Sequence, residues 1–330
     1  MGEKSEYLLE VTDLVKEFKI KKAIGSKGKE SDKVVAVNHS SLRIKKGEIY
    51  GLVGESGCGK STLGRCVLQL IPPTSGSIKY EGKELFGLSA KQLMPYRKKM
   101  QIVFQNPYAS LNPKMRIRSS LKEVLKHFKM EQGREEEDII ETLRMVGIEK
   151  EALDKYPHQF SGGQLQRIAI ARALLVEPEL LIADEPVSAL DVSIQAQVLN
   201  LLRDLNREIN LTMLFVSHDL SVVQYLCDRV AVIYNGVIVE DGSIEDLYHH
   251  TQHPYTKALL SAVPTPDPEE EEPEMEMLSD SNEMAGDAEG CVYYSRCPQR
   301  CDECQKKVEP VTVNGHMCRC ILAKEAEEGK

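Results

Sequence analysis

No stretch of this 330-residue chain is apolar over the ~18–20 residues that a helix needs to cross a bilayer. A helical membrane span is therefore excluded, and any work at a membrane requires membrane domains supplied by other chains. The start, Met1 to Glu10, is charged and lacks an apolar core segment, so no secretory signal is expected and the protein is read as cytosolic. Positive charge is not in excess either. Against 42 Lys and Arg stand 51 Asp and Glu, a formal net charge of −9, which argues against a nucleic-acid partner. No internal repeat is visible, and the apolar content, 42%, is ordinary for a globular protein.

What the chain does have is two glycine motifs more than a hundred residues apart. The first follows a short apolar run, Glu48 to Val53, and reads Gly54-Glu55-Ser56-Gly57-Cys58-Gly59-Lys60-Ser61-Thr62. It fits G-x-x-x-x-G-K-S/T between a predicted strand and a helix predicted from Ser61 to Leu70, the context that identifies a phosphate-binding loop. The glycines let main-chain N–H groups wrap the phosphates of ATP, Lys60 bridges the β- and γ-phosphates, and the Ser61 hydroxyl ligates Mg²⁺. A turn required only by geometry would have no reason to place Lys-Ser at that offset. The second motif, Ser161-Gly162-Gly163-Gln164 inside Phe160 to Arg172, opens a predicted helix with Ser161 as its N-cap. Exposed N–H groups at such a helix start suit an anionic phosphate.

Two further strands end in polar residues. Leu180 to Ala183 leads into Asp184-Glu185, and Met213 to Ser217 leads into His218. Ligands gather at the carboxyl ends of strands in open α/β sheets. Asp184 is thus a candidate partner of Mg²⁺, Glu185 can polarise an attacking water, and His218 can hydrogen-bond the γ-phosphate.

Together these residues resemble the nucleotide-binding subunit of an ABC transporter, over about Leu8 to Cys320. The resemblance implies an α/β fold: an ABC-type P-loop NTPase with an antiparallel β lobe, a helical subdomain and a small C-terminal Cys-rich module. It adds Gln105 as the Q-loop residue, which senses the γ-phosphate and joins Ser61 and Asp184 around Mg²⁺. It adds Phe18 as the aromatic that stacks on adenine, with Tyr7 as an alternative, and Asp191 in the D-loop Ser188-Ala189-Leu190-Asp191. It implies that Glu185 is the general base and that Ser161 to Gln164 act in trans, on ATP held by a second cassette.

After a predicted hairpin at Asn235-Gly236, the run His253-Pro254-Tyr255-Thr256 and the cysteine-containing tail narrow the resemblance to the ATPases of oligopeptide and dipeptide importers. The basic insert Lys21 to Lys33, with Gly64-Arg65 and Pro72 to Gly76, resembles one of the two paralogues that such systems pair. The implied partners are a second ATPase subunit (a paralogue or a copy of this chain), two membrane permease subunits and, indirectly, an extracytoplasmic peptide-binding protein. The implied location is peripheral, on the cytoplasmic face of the membrane. A nickel or other small-solute importer is the nearest alternative, followed by a soluble non-transport ABC ATPase. A turnover-free regulatory module is opposed by the intact Glu185 and His218.

The expected organisation is a nucleotide-binding domain over 1–250, with its helical subdomain at about 107–172, and an extension over 251–330. Within the latter, 264–290 reads as an acidic linker and 291–320 as a Cys-rich tail. Tyr108 to Pro113 is a candidate docking loop for the permeases. Six of the nine cysteines fall in the tail, and clustered cysteines inside cells favour metal over disulfides. The resemblance implies a four-cysteine set, matched here to Cys291, Cys297, Cys304 and Cys318, that holds a 4Fe–4S cluster or, alternatively, Zn²⁺. Cys301 and Cys320 are extra and able to substitute, and His316 is an outside Zn²⁺ candidate. The family's Pro-rich stretch before the first tail cysteine is missing.

Overall fold

The structure, a computed structural model, describes residues 6–19, 33–130, 133–262 and 290–323. The basic insert (apart from Lys33) and the acidic linker (apart from Gly290) lie outside the described residues. The chain falls into two compact units, one comprising the described parts of 1–43, 50–86 and 218–330, the other those of 44–49 and 87–217.

In the first unit, the strand Tyr7–Lys19 pairs antiparallel with Ser75–Tyr80, with Leu9 opposite Tyr80 and Val11 opposite Ile78. Lys33–Lys45 and Lys83–Glu84 complete a four-stranded sheet. This is the expected antiparallel lobe, and its buried face is the alternation Leu9, Val11, Ile78, Tyr80 that a half-solvated sheet requires. The strand Ile49–Val53, all five residues buried, belongs to this unit from Tyr50 onward. It runs parallel to Arg229–Tyr234, as a strand covered on both faces should. Arg229–Tyr234 turns at Asn235-Gly236 into the antiparallel strand Val237–Ser243. Two short tail strands extend this ribbon: His316–Cys318 pairs with Val237–Ser243, and Val311–Val313 with His316–Cys318.

The ribbon is pinned by a buried pair. His316 Nε2 lies 2.9 Å from Glu240 Oε1, with side chains 6% and 0% exposed. Glu240 also accepts from Thr251 Oγ1, from Gln252 N–H at 2.7 Å and from His253 N–H. Burial pushes the Glu240 carboxyl up, but the hydrogen bonds from His316 and the Gln252 N–H outweigh it and hold the group below its usual range, while Glu240 raises the His316 pKa. A buried carboxylate needs such donors. His316 is thereby engaged with Glu240 and does not line the cysteine pocket, which removes it from the zinc candidates.

In the second unit, Met100–Val103, Leu180–Asp184 and Thr212–Ser217 form parallel neighbours, with Ile182 opposite Ile102 and Leu214. The latter two strands are buried throughout. Between the first two strands the chain is helical at Pro107–Ser110, Ile117–His127, Glu135–Met145 and Gly162–Leu174. Arg172 ties the last of these to the first by donating to the Ser110 carbonyl at 2.6 Å.

Candidate functional site

In the first unit, the loop between Ile49–Val53 and the helix Lys60–Val67 has the form that phosphate cradles take. Gly59 caps the helix at φ 108°, and a Cβ there would stand 2.1 Å from the Ala36 carbonyl, so only glycine fits. Lys60 is 4% exposed, and its ammonium donates to the Gly54 and Glu55 carbonyls at 2.6 and 2.8 Å. Cys58 is buried under the loop, its Sγ 3.8 Å from Lys60 Nζ. Burial pushes this thiol up and the Lys60 charge pulls it back. His218 is exposed directly after Ser217; the next residue, Asp219, caps the helix Leu220–Leu226. Phe18 stands 39% exposed near the end of its strand, with Lys16 Nζ 5.0 Å from its ring centre.

In the second unit, Asp184 is buried at its strand end and Glu185 follows with φ +49°. A bulky residue in the left-handed region is strained by about 1–3 kcal/mol, and here the Glu185 N–H donates to the Val216 carbonyl at 3.0 Å. Gln105 Nε2 donates to Glu185 Oε2 at 3.0 Å and to Ser188 Oγ at 3.1 Å. The structure therefore brings together Gln105, Glu185 and Ser188. Ser188 was singled out in sequence only as the first residue of its loop.

Ser161 caps the helix Gly162–Leu174 in a reciprocal box: Gln164 N–H donates to Ser161 Oγ at 3.3 Å and Ser161 N–H to Gln164 Oε1 at 3.2 Å. Gly163 is required by close approach, since a Cβ there would lie 2.2 Å from Ile194 Cγ2. Asp191 caps the helix Val192–Ile209, accepting from Ile194 N–H at 3.1 Å and Ser193 Oγ at 2.8 Å. The Ser193 bond leads in holding its carboxyl below the usual range.

Of the four cysteines matched to a ligand set, three line one pocket, and the fourth, Cys318, packs with Cys320. Cys291, Cys297, Cys304 and Cys320 line one pocket together with His253, and Cys318 is not among its lining. Cys318 is paired into the ribbon opposite Glu240 and Val311, whereas the chain leaves the ribbon before Cys320. Cys301 Sγ lies 3.4 Å from Cys304 Sγ. Burial pushes the Cys291 thiol up to about 11 and raises Cys297, Cys304 and Cys320 as well. His253 Nδ1 accepts from Tyr255 N–H at 3.1 Å, so a neutral ring carries its proton on Nε2, and burial lowers its pKa to about 4. That Nε2 is buried without a partner. Nevertheless, among the described residues no group of three or more His, Cys, Asp or Glu is arranged to hold a metal ion. The expected iron–sulfur or zinc site is therefore not formed by the thiols as they stand.

Residues 37–188 match the ABC transporter family and residues 239–304 the oligopeptide/dipeptide transporter C-terminal region. The oligopeptide transport ATP-binding protein OppF of Haemophilus influenzae is 44% identical over 322 residues, covering 96% of this chain and 97% of its own. AppF of Bacillus subtilis, also an oligopeptide transport ATP-binding protein, is 46% identical over 307 residues, covering 92% and 93%. Among solved structures, cbiO1 of Clostridium perfringens, part of an ABC transporter complex, superposes with TM-score 0.64 at 29% identity over 75% of this chain and 93% of its own. An ATP-binding cassette solved as a dimer with ADP and Pi gives TM-score 0.63 at 28% identity over 72% and 98%. The phosphate loop, the strand ending in Asp184 and the capped Ser161 helix all lie inside the first matched segment, and this chain belongs to the ATP-hydrolysing subunits of the ABC transporter family.

Proposed function

We propose that this chain hydrolyses ATP to power the import of oligopeptides or dipeptides through separate permease subunits, from the cytoplasmic face of the membrane. One observation carries the reading: an ABC segment and an oligopeptide/dipeptide transporter C-terminal region occur in one chain. We read 1–250 as the nucleotide-binding domain, with 107–172 as its helical part, and 251–330 as the peptide-importer extension.

The roles follow from donor chemistry. The amides of 54–62 and the Lys60 ammonium hold the phosphates of ATP, and Phe18 stacks on adenine. Ser61, Gln105 and Asp184 would supply oxygen ligands for Mg²⁺, a hard cation that prefers them. Glu185 takes the proton of the attacking water, held meanwhile by the Gln105 amide, and His218 donates toward the γ-phosphate. Phosphoryl transfer asks mainly for positioning and charge stabilisation. Ser161 to Gln164 supply that for the partner's nucleotide, and Asp191 sits at the seam between the two cassettes. The test is uptake in vesicles: reconstituted with permease subunits and a peptide-binding protein of the oligopeptide/dipeptide type, this chain is expected to drive ATP-dependent accumulation of a labelled peptide. Uptake of nickel without peptide would establish the small-solute alternative, and hydrolysis with no permease association the soluble one.

The finer reading of the tail is that Cys291, Cys297 and Cys304, with Cys318 or its neighbour Cys320, would hold a 4Fe–4S cluster. The orphaned His253 N–H on the same pocket is the donor that ligated sulfur accepts. Zinc requires four ligands about one point at ~2.3 Å from sulfur, and it is the alternative. Anaerobically purified protein is expected to absorb broadly in the visible and to contain iron and acid-labile sulfide; colourless protein with one zinc per chain would overturn the cluster.

A further inference from the structure

Glu55, the second residue of the phosphate loop, has every polar group engaged. Its carbonyl accepts from the Lys60 ammonium at 2.8 Å. Its N–H donates to the Tyr255 hydroxyl at 3.1 Å. Its carboxylate accepts from Arg296 Nη1 at 3.1 and 2.9 Å. Both outside partners come from the extension that follows the second glycine motif. Tyr255 is the second residue of the helix Pro254–Ser261, and Arg296 closes the turn Tyr294–Arg296 immediately before Cys297.

The scaffold behind these contacts is rigid. The Tyr234 ring packs on Tyr255 at 4.6 Å and on Tyr293 at 5.2 Å, and Tyr255 packs on Tyr293 at 5.3 Å between centres. All three rings are buried. Arg296 lies 5.8 Å from the Tyr234 ring centre, so its guanidinium is held between an aromatic face and the Glu55 carboxylate.

We infer that Arg296 is a positioning residue of the nucleotide site, which neutralises and fixes Glu55 so that the loop stays set for a polyphosphate. The inference rests on the reading of 54–62 as the ATP-binding loop. A carboxylate in that loop repels a triphosphate, and pairing it with a cation removes the repulsion. Fixing the Glu55 peptide at both ends also fixes the carbonyl on which Lys60 rests, so less ordering remains to be done when nucleotide binds. The cysteine tail thereby becomes part of the ATP site through one side chain.

The test is a double-mutant cycle on the full chain, read as dissociation constants for ATP and ADP by displacement of a fluorescent nucleotide. Arg296→Ala is expected to weaken ATP about tenfold, the low end for a hydrogen bond to a charged group because the Glu55 side chain is partly exposed. ADP, with less charge, loses less, and Arg296→Lys recovers part of the loss. In a Glu55→Gln background the same Arg296→Ala change is expected to cost less than about twofold, because the charge it offsets is gone. Raising the salt narrows the wild-type-to-Arg296→Ala gap. An equal penalty in both backgrounds, or a gap indifferent to salt, overturns the positioning role and leaves a merely structural one. Should Arg296→Ala fail to fold, Arg296→Lys and Arg296→Gln carry the same cycle, with melting midpoints recorded alongside. If wild-type protein does not bind ATP, or Lys60→Ala binds it equally well, the nucleotide-loop reading itself falls.

Discussion

Glu185→Gln is expected to cut ATP turnover about a hundred- to ten-thousandfold, the range lost with a general base, while ATP binding survives. Glutamine keeps the length and shape of glutamate and still offers an oxygen to the Gln105 amide, which donates to Glu185 at 3.0 Å. What it cannot do is take a proton from water. Nucleotide then stays bound and unhydrolysed, so the variant is expected to accumulate as ATP-held pairs, visible as a doubled mass by size exclusion with light scattering. Phosphate release measured on the same sample supplies the rate. Undiminished turnover would remove Glu185 as the base. The left-handed backbone at this position, φ +49°, bears on the control: glutamine tolerates that region about as glutamate does, so the melting midpoint should hold. A collapse in stability would mean that lost rate reported lost fold.

The parts of the site legible in sequence are the local ones. Lys-Ser at a fixed offset from glycine, after five apolar residues, specifies a strand, a tight loop and a helix within one short stretch. Ser161 reads as an N-cap in sequence, and in the structure it caps the helix with Gln164 as its reciprocal partner, because both hydrogen bonds close inside one helical turn. The antiparallel lobe comes from the family resemblance, and the fully buried strands from unbroken apolar runs.

The pairings made across long stretches of chain leave no such signature. Gln105 meets Glu185 across 80 residues and Arg296 meets Glu55 across 241, and neither spacing carries a period that sequence could expose. The tail shows the same limit at short range. Counting cysteines finds six in the tail, but which of them line one pocket appears only in the fold. His316 looked like a ligand because histidine often is one; its partner Glu240, 76 residues away, becomes evident only once the two strands are paired. Glu240 itself is 0% exposed, and nothing in its sequence surroundings marks it as buried.

Ser161→Arg is expected to abolish hydrolysis, by about a hundredfold or more as when an oxyanion-type donor is removed, without impairing ATP binding to the chain's own phosphate loop. The substitution acts at the start of the helix Gly162–Leu174. It removes the oxygen that accepts from Gln164 N–H, at a cost of about 1 kcal/mol for a lost N-cap, and sets a cation against the positive end of the helix. The change leaves the residues of the loop 54–62 themselves as they are. Binding and turnover should therefore separate in this variant, whereas a signature acting in cis would lower both at the same site. Mixing makes the distinction sharper. Combine the Ser161→Arg chain with a partner whose phosphate-loop lysine is Ala (Lys60→Ala when the chain pairs with itself). Each is inactive alone. If the signature acts in trans, the mixed pair contains one site built from an intact loop on the first chain and an intact signature on the second, and turnover returns. If it acts in cis, every site in every combination carries a defect, and mixing restores nothing.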